Sequence, residues 1–377
     1  MKPSFMWTLV GLCIFLCVVV TIYVVVIITP TSTKPSLTIH GQTSNQNTNV
    51  PLKLMKNVGD AYIMGDSILF PVVLYNGGLP LISIHVGESG SMAAAILDTA
   101  SEHLLLGDIE KCTSCSNRLF GGARGSDSEN DASYGKVITI FPSQKDHIEY
   151  RSEDIYIDEF HVPNAKFGLV THRQNLVEGN TETYNAMGIG GAQTIEDSFL
   201  NQIHKKLRPG KTRQFGFVFG RSGDIQKDKK GIWVLGPIPK TMQSTHVTSI
   251  PLWDRPLSKY SYTTHLEKVL GILKDNKVIQ YPIENFPVMF DTGSNFMRLP
   301  FALQQHFHEL DRFEMVFYGG HHIVLPNKTL MWNGKPKHSL VKFSKRNIIT
   351  IGTIVMSHFK AIAFELDPRP FLHVYQR

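Results

Sequence analysis

Short apolar runs, separated by glycine, proline and asparagine, recur along the chain from about Ile68 onward. They include ILFPVVLY (68–75), PLISIHVG (80–87), AAAIL (93–97), KVITIF (136–141), IYI (155–157), FGFVFG (215–220) and GIWVLG (231–236). Runs of this length that are rich in β-branched and aromatic residues and bounded by turn-forming residues are typical of strands. The sequence therefore predicts a mainly β protein, and 42% hydrophobic residues in a chain of 377 are enough for one large core or two ordinary ones.

Helical periodicity is confined to a few segments. The segment IEDSFLNQIHKKL (195–207) repeats apolar residues at i, i+4 spacing, and PFALQQHFHEL (300–310) begins with a proline, which is favoured near a helix start. We predict a helix at each of these two places.

The N-terminal region predicts a membrane anchor. Residues 6–28 form an uncharged apolar run about as long as the roughly 20 residues that a helix needs to cross a bilayer. This run is longer than the apolar core of a signal peptide, and no small-x-small cleavage site closes it, which favours an uncleaved anchor. With Lys2 in front of the run, residues 1–5 are expected to be a cytosolic tail. The remainder of this single-pass type II protein would then face a lumen or the outside, within the secretory or endolysosomal system.

Residues 29–68 are rich in Thr, Ser, Asn and Pro over their first part, as expected of a stalk, and they could also serve as a short prosegment. The net charge of +6 comes from basic clusters at 205–213, 226–230 and 335–338. These clusters lack a nucleic-acid-binding motif and interleaved aromatic residues, so we interpret them as solvated loops and expect no nucleic-acid partner.

Cysteine is rare in this chain. Cys13 and Cys17 fall in the apolar run, and only Cys112 and Cys115 lie outside it. In an oxidising lumen the latter two could form a disulfide, and their C-x-x-C spacing also suits a redox pair or half a zinc site. A second pair of metal ligands is absent, which argues against the metal.

An internal repeat carries the functional signal. The segment AAAILDTASEHLLLG (93–107) parallels FPVMFDTGSNFMRLP (286–300): in each, an apolar strand leads to Asp-Thr-small-Ser and then to another apolar strand. Each copy is followed at a distance by residues ending in a glycine, Gly188 or Gly352, that could form a further strand. Taken alone, Asp-Thr-Gly-Ser is also typical of a turn in which the Asp side chain binds its own backbone. The matched pair favours two halves that each supply one carboxylate.

At these motifs the sequence resembles the pepsin-like aspartic proteases, bilobal β enzymes in which each lobe donates one Asp-Thr-Gly motif to a shared cleft. The resemblance runs with gaps from about Leu69 to the C-terminus and includes GIWVLGPIPK (231–240) and IGTIVMSHFKAIAFELD (351–367). The apolar anchor and the cysteine pair are similar to those of membrane-anchored, plasmepsin-type apicomplexan members. The resemblance implies an N-terminal lobe over 69–245, a C-terminal lobe over 246–377 and an extended peptide or protein substrate. We also expect no metal, no cofactor and a monomeric state.

The resemblance also assigns roles to individual residues. Asp98 and Asp291 would share one proton, so that one carboxyl takes a proton from water while the other gives one to the substrate. The supporting residues fall into three matched pairs: Thr99 and Thr292 would anchor the two loops, Ala100 and Gly293 would direct backbone N–H groups at the carboxylates, and Ser101 and Ser294 would donate hydroxyls to them.

Three departures from the family pattern bear on activity. Ala100 replaces the glycine of the first motif, which would be costly at positive φ. Counting from Asp98, the flap residue falls on Phe141, which lacks the phenol of the family's tyrosine, and Tyr134 is the alternative. Leu105 stands where the family often has tryptophan. An alternative function is therefore a catalytically impaired scaffold that binds a partner or acts structurally.

Overall fold

The computed structural model describes residues 59–75, 78–87, 90–115, 120–124, 129–140, 144–175, 184–192, 196–220, 230–253, 261–326, 330 and 341–377. The predicted anchor (6–28) lies outside these ranges. Within them, no helix is both long and apolar enough to cross a bilayer. The described chain is mainly β and bilobal, and its strands form two sheets, as the alternating apolar runs predict.

The first eleven strands are β1 (Tyr62–Met64), β2 (Ser67–Tyr75), β3 (Leu79–Val86), β4 (Ser91–Asp98), β5 (Leu104–Gly107), β6 (Glu129–Ile140), β7 (Gln144–Ile157), β8 (Phe160–Asn175), β9 (Asn185–Gly188), β10 (Gln214–Phe219) and β11 (Lys230–Leu235). The others are β12 (Val247–Pro251), β13 (Thr263–Leu273), β14 (Val278–Gln280), β15 (Pro287–Asp291), β16 (Met297–Pro300), β17 (Leu310–Phe317), β18 (His321–Pro326), β19 (Val341–Ser344), β20 (Ile349–Gly352), β21 (Ala361–Glu365) and β22 (Phe371–Tyr375).

The larger sheet combines strands from both ends of the chain. Its order is β12-β22-β21-β10-β11-β2-β3-β4-β9-β5-β8-β7-β6, with β1 beside β2. The smaller sheet has the order β18-β17-β13-β15-β20-β16-β19, with β14 beside β13. Because the last two strands of the chain pair next to β10, the C-terminal residues help to hold the first half of the molecule in place.

Helices are few in the described residues. Helix α1 (Phe199–Leu207) confirms most of the helix predicted at 195–207, and it begins after Ser198, whose hydroxyl accepts a hydrogen bond from the Asn201 N–H at 3.4 Å. A single turn, α2 (Thr353–Met356), follows β20. The helix predicted at 300–310 is wrong. That segment forms two 3-10 turns, Phe301–Leu303 and Phe307–Glu309, because His306 between them adopts a left-handed conformation with φ of 60°.

The sequence repeat corresponds to a repeated strand arrangement. In the first copy β4 runs parallel to β9, placing Asp98 opposite Gly188, and β5 runs antiparallel to β9. In the second copy β15 runs parallel to β20, placing Asp291 opposite Gly352, and β16 runs antiparallel to β20. Each aspartate therefore ends a buried strand at an equivalent position of its own sheet.

Candidate active site

The two Asp-Thr loops are joined by reciprocal hydrogen bonds. The Thr99 N–H donates to the Thr292 hydroxyl at 3.0 Å, and the Thr292 N–H donates to the Thr99 hydroxyl at 2.9 Å. Each hydroxyl also donates across the junction, Thr99 to the Phe290 carbonyl oxygen at 2.7 Å and Thr292 to the Leu97 carbonyl oxygen at 2.6 Å. Both threonines are fully buried. The two halves of the chain are thus fixed together one residue beyond each aspartate.

Backbone N–H groups hold the two carboxyls in matching ways. The Ala100 N–H donates to Asp98 Oδ1 at 2.8 Å, and the Gly293 N–H donates to Asp291 Oδ1 at 3.0 Å. Gly293 also lies against the opposite carboxyl, because a Cβ atom at this position would be 2.6 Å from Asp98 Oδ1. Ala100 is not among the described residues with positive φ, so its methyl group introduces no backbone strain.

Burial and mutual charge shift the proton affinities of the pair. Asp98 and Asp291 are 1% and 7% exposed. Burial, followed by the negative charge of Asp98, raises the pKa of Asp291 to about 7, and the Gly293 N–H and the positive charge of Arg298 oppose this rise. Burial likewise raises the pKa of Asp98, against its hydrogen bond from Ala100. Because the charge of one carboxyl acts on the other, the two do not both ionise readily, and the protonation steps belong to the pair.

The two serines of the motifs are not equivalent. The Ser101 hydroxyl is buried beside Asp98, and its hydrogen bond opposes the rise in the pKa of that carboxyl. The Ser294 hydroxyl donates to the Phe296 carbonyl oxygen at 3.4 Å rather than to Asp291. Of the two expected hydroxyl donors, Ser101 therefore acts on its carboxyl, whereas the Ser294 hydroxyl is bound to a backbone carbonyl instead.

The glycines opposite the aspartates allow close backbone packing. A Cβ atom at Gly188 would lie 2.5 Å from the His103 backbone nitrogen, and one at Gly352 would lie 2.5 Å from the Phe296 carbonyl oxygen. Glycine at both positions therefore lets each aspartate loop fold back over the strand that pairs with it. This explains why both copies of the repeat end in glycine.

A buried tyrosine adds a second connection between the halves. The Ile189 N–H donates to the Asp98 carbonyl oxygen at 2.8 Å, and the Ile189 carbonyl oxygen accepts from the Tyr262 hydroxyl at 2.7 Å. Tyr262 is 1% exposed, and burial raises the pKa of its phenol. Sequence reasoning missed Tyr262 because no motif surrounds it.

The candidate flap is the hairpin of β6 and β7. The two strands pair from Ile140 and Gln144 to Glu129 and Ser152, with an irregularity between Asn130 and Gly135. Tyr134 falls within that irregularity. Phe141, the predicted flap residue, lies outside the described residues. The choice between Phe141 and Tyr134 as the flap residue therefore stays a prediction.

Tyr150 of β7 reaches the loop that follows Asp98. Its hydroxyl lies 3.3 Å from His103 Nε2, and the two rings meet edge to face. The same His103 nitrogen lies 2.7 Å from Glu102 Oε1, while Glu102 Oε2 is buried without a hydrogen-bond partner in the described structure. A phenol on the hairpin thus contacts the first aspartate loop, although the predicted flap residue has none. Sequence reasoning missed this contact, because His103 and Tyr150 are 47 positions apart.

Leu105 and the cysteine pair fill the space behind the first loop. Cys112 and Cys115 form a disulfide, which confirms the prediction of a bond between them. Leu105 is buried and packs in one cluster with Cys112, Ile148 and Val170. Leu105, at the position where pepsin-like proteases often have tryptophan, is therefore part of a small aliphatic cluster between the disulfide and the hairpin.

A cavity of about 590 Å³ lies beside α1 and β8 and contains none of the dyad residues. In the part of the chain that the structure describes, no three His, Cys, Asp or Glu side chains are arranged to hold a metal ion.

Comparison with known proteins does not assign the chain to a family. No model of a known protein family matches the chain, and no curated protein is significantly similar to it.

Proposed function

We propose that the protein is a pepsin-like aspartic endopeptidase. The observation that carries this proposal is the junction of the two Asp-Thr loops, in which Thr99 and Thr292 bind each other and the carboxyls of Asp98 and Asp291 affect each other's proton affinity. A solitary Asp turn needs neither a second buried aspartate nor a cross-connection between distant parts of the chain. Paired, differently protonated carboxyls are suited to acid-base catalysis.

The proposed reaction is hydrolysis of a peptide bond by an activated water. The ionised carboxylate of the pair removes a proton from water while the protonated member donates its proton to the carbonyl oxygen, which yields a neutral tetrahedral diol. A proton then passes to the amide nitrogen, the C–N bond breaks, and a carboxylic acid and an amine leave. Asp291, whose pKa is raised to about 7, is the member proposed to enter the cycle protonated.

The substrate would bind as an extended chain. Strand β6 is the last strand of the larger sheet, so one of its edges has no strand partner among the described residues. An extended peptide can pair with such an edge through its backbone, while alternate side chains occupy pockets. We propose that the β6–β7 hairpin contributes this edge to the cleft and that the substrate is a peptide or an exposed protein segment.

The site would lie on the far side of a membrane from the cytosol. Residues 6–28 are proposed to anchor the chain as a type II protein, followed by residues 29–68 as a stalk or a short prosegment. The Cys112–Cys115 disulfide supports an oxidising compartment of the secretory or endolysosomal system, because disulfides rarely persist in the cytosol.

Cleavage of a diverse peptide library by the purified full-length protein tests the proposal. Asp98→Asn and Asp291→Asn should each abolish turnover, whereas Asp311→Asn, at an exposed position, should not. Turnover that survives both dyad changes would eliminate the dyad as the catalytic group.

A binding scaffold without turnover is the second candidate. It is favoured by the absence of a phenol at Phe141 and by the Ser294 hydroxyl, which binds the Phe296 carbonyl oxygen rather than Asp291. This candidate predicts no cleavage at any pH. A statine-type mimic of the tetrahedral intermediate separates the two candidates, because saturable binding that is lost in Asp291→Asn supports the protease.

A further inference from the structure

Two cations stand on the same face of the smaller sheet as Asp291. Across neighbouring strands, Met289 pairs with Thr350, Thr350 pairs with Arg298, and Arg298 pairs with Lys342. Directly opposed residues point to the same face of a sheet, and residues two apart on one strand do so as well. Met289 and Asp291 are two apart on β15. Arg298 and Lys342 therefore project on the face that carries the catalytic candidate.

Asp291 and Thr350 are buried on this face, which becomes exposed farther along at Arg298 and Lys342. The opposite face is core, since Phe290, Leu299 and Ile351 are at most 1% exposed. Arg298 and Lys342 are exposed. Both charged groups are thus accessible to a chain that lies across this face.

The positive charge of Arg298 acts on Asp291, but neither cation is held in an ion pair among the described residues. Lys342 Nζ lies 4.0 Å from the centre of the Phe296 ring, a contact that holds the ammonium group over the sheet. Partial burial and the positive charge of Arg298 both lower the pKa of Lys342. Two like charges in this position repel each other, and an anion between them would relieve the repulsion.

The stretch of chain around Lys342 is also free of acids. From Met315 to Phe364 the chain contains no aspartate or glutamate. The cations in this segment are Lys328, Lys335, Lys337, Lys342, Lys345, Arg346 and Lys360. An incoming acidic group would therefore meet no competing carboxylate from this part of the chain.

We propose that Arg298 and Lys342 form an anion subsite that selects peptides carrying Asp or Glu near the scissile bond. This inference rests on the proposed endopeptidase function. One strand separates β15 from β16, so Arg298 lies about 10 Å from β15 across the sheet, at about 4.8 Å per strand. An extended peptide advances about 3.3 Å per residue, which places the acidic residue two to four positions from the cleaved bond.

The test compares matched peptides on the full-length protein. One library peptide that the protein cleaves is resynthesised as matched pairs. Within a pair, the two peptides carry Glu or Gln at the same single position, two to four residues from the scissile bond on either side. At low salt, the best Glu peptide should have a kcat/KM about tenfold higher than its Gln counterpart, and the ratio should fall as salt screens the charges. In the Arg298→Gln, Lys342→Gln double variant the Glu/Gln ratio should fall close to one. A ratio is used because loss of the Arg298 charge also changes the proton affinity of Asp291.

A matched control removes the same charge elsewhere. Lys345→Gln with Arg346→Gln takes two cations from the exposed bend that follows β19 and should leave the Glu/Gln ratio unchanged. The proposed subsite is overturned if the Glu/Gln ratio of kcat/KM falls equally in both double variants. It is also overturned if the wild-type ratio is near one at every position.

Binding separates failure of the subsite from failure of the proposed activity. If the wild-type protein cleaves no peptide, the endopeptidase proposal fails. Fluorescence anisotropy of labelled Glu and Gln library peptides then still tests the subsite: tighter binding of the Glu peptides that is lost only in the Arg298, Lys342 variant supports it, and equal binding overturns it.

Discussion

A Cβ atom at Gly293 would lie 2.6 Å from Asp98 Oδ1, so the second Asp-Thr loop closes directly against the carboxyl of the first. Real Cβ atoms do not approach oxygen so closely, and the neighbouring atoms are part of the dyad itself. The identity of residue 293 therefore controls how near the two carboxyls can stand.

Gly293→Ala should displace the Asp98 carboxyl and disable the site. Misplacing a reacting group by about 1 Å can cost about 100-fold in rate, so we expect at least that loss in kcat/KM for any cleaved peptide. The matched change at the equivalent position of the first loop, Ala100→Gly, should be tolerated, because it only removes a methyl group. Wild-type kinetics for Gly293→Ala would contradict the close approach of Gly293 to Asp98.

Thr99→Val should destabilise the junction of the two halves. Valine keeps the shape of threonine but leaves the Phe290 carbonyl oxygen and the Thr292 N–H without their buried partners. Each unsatisfied buried group costs about 1–3 kcal/mol, so the free energy of unfolding should fall by about 2–6 kcal/mol in urea denaturation. Thr171→Val is the control, since that hydroxyl makes a long 3.4 Å bond at the surface. A Thr99→Val protein as stable as the control would contradict a structural role for the junction.

The raised pKa of Asp291 predicts a pH-dependent stability. The unfolded chain has an ordinary aspartate pKa of about 3.9, whereas the folded protein holds the proton up to about pH 7. Between these values the folded state binds more protons, so stability should decrease as pH rises, by about 1.4 kcal/mol per pH unit for each proton. Asp291→Asn should flatten this slope, and Asp311→Asn should not. Urea denaturation at pH 4 to 8 measures both, and an unchanged slope in Asp291→Asn would exclude the shift.

The strands and the paired aspartates were predictable because both depend on local sequence. Alternating apolar runs require burial on a pleated sheet, and β2 and β3 follow them to within one residue at each end. The repeat identified Asp98 and Asp291, together with the glycines opposite them, because each motif is continuous in the chain. The helix predicted at 300–310 failed because the left-handed conformation of His306 leaves no signal in apolar spacing.

The contacts that complete the candidate site depend on pairing between distant segments. Tyr150 meets His103 across 47 positions of sequence, and Tyr262 reaches Ile189 across 73. Such contacts follow from the register of β7 against its neighbours and from the way the two halves meet. Neither can be read from a single segment, so the sequence indicated the catalytic candidates but not the residues that connect them.

A buried ion pair near the turn of the β6–β7 hairpin, between β7 and β8, gives the last prediction. Arg173 binds Asp146 through two hydrogen bonds, of 2.9 and 2.6 Å, and their side chains are 2% and 0% exposed. Asp146→Asn would leave the guanidinium buried without its counter-charge, so stability should fall by about 3–5 kcal/mol, with faster amide exchange along β7. The exposed pair of Lys211 and Asp66 is the control, and Asp66→Asn should leave β7 exchange unchanged. Slow exchange along β7 in Asp146→Asn would mean that the hairpin is held by its backbone ladder alone.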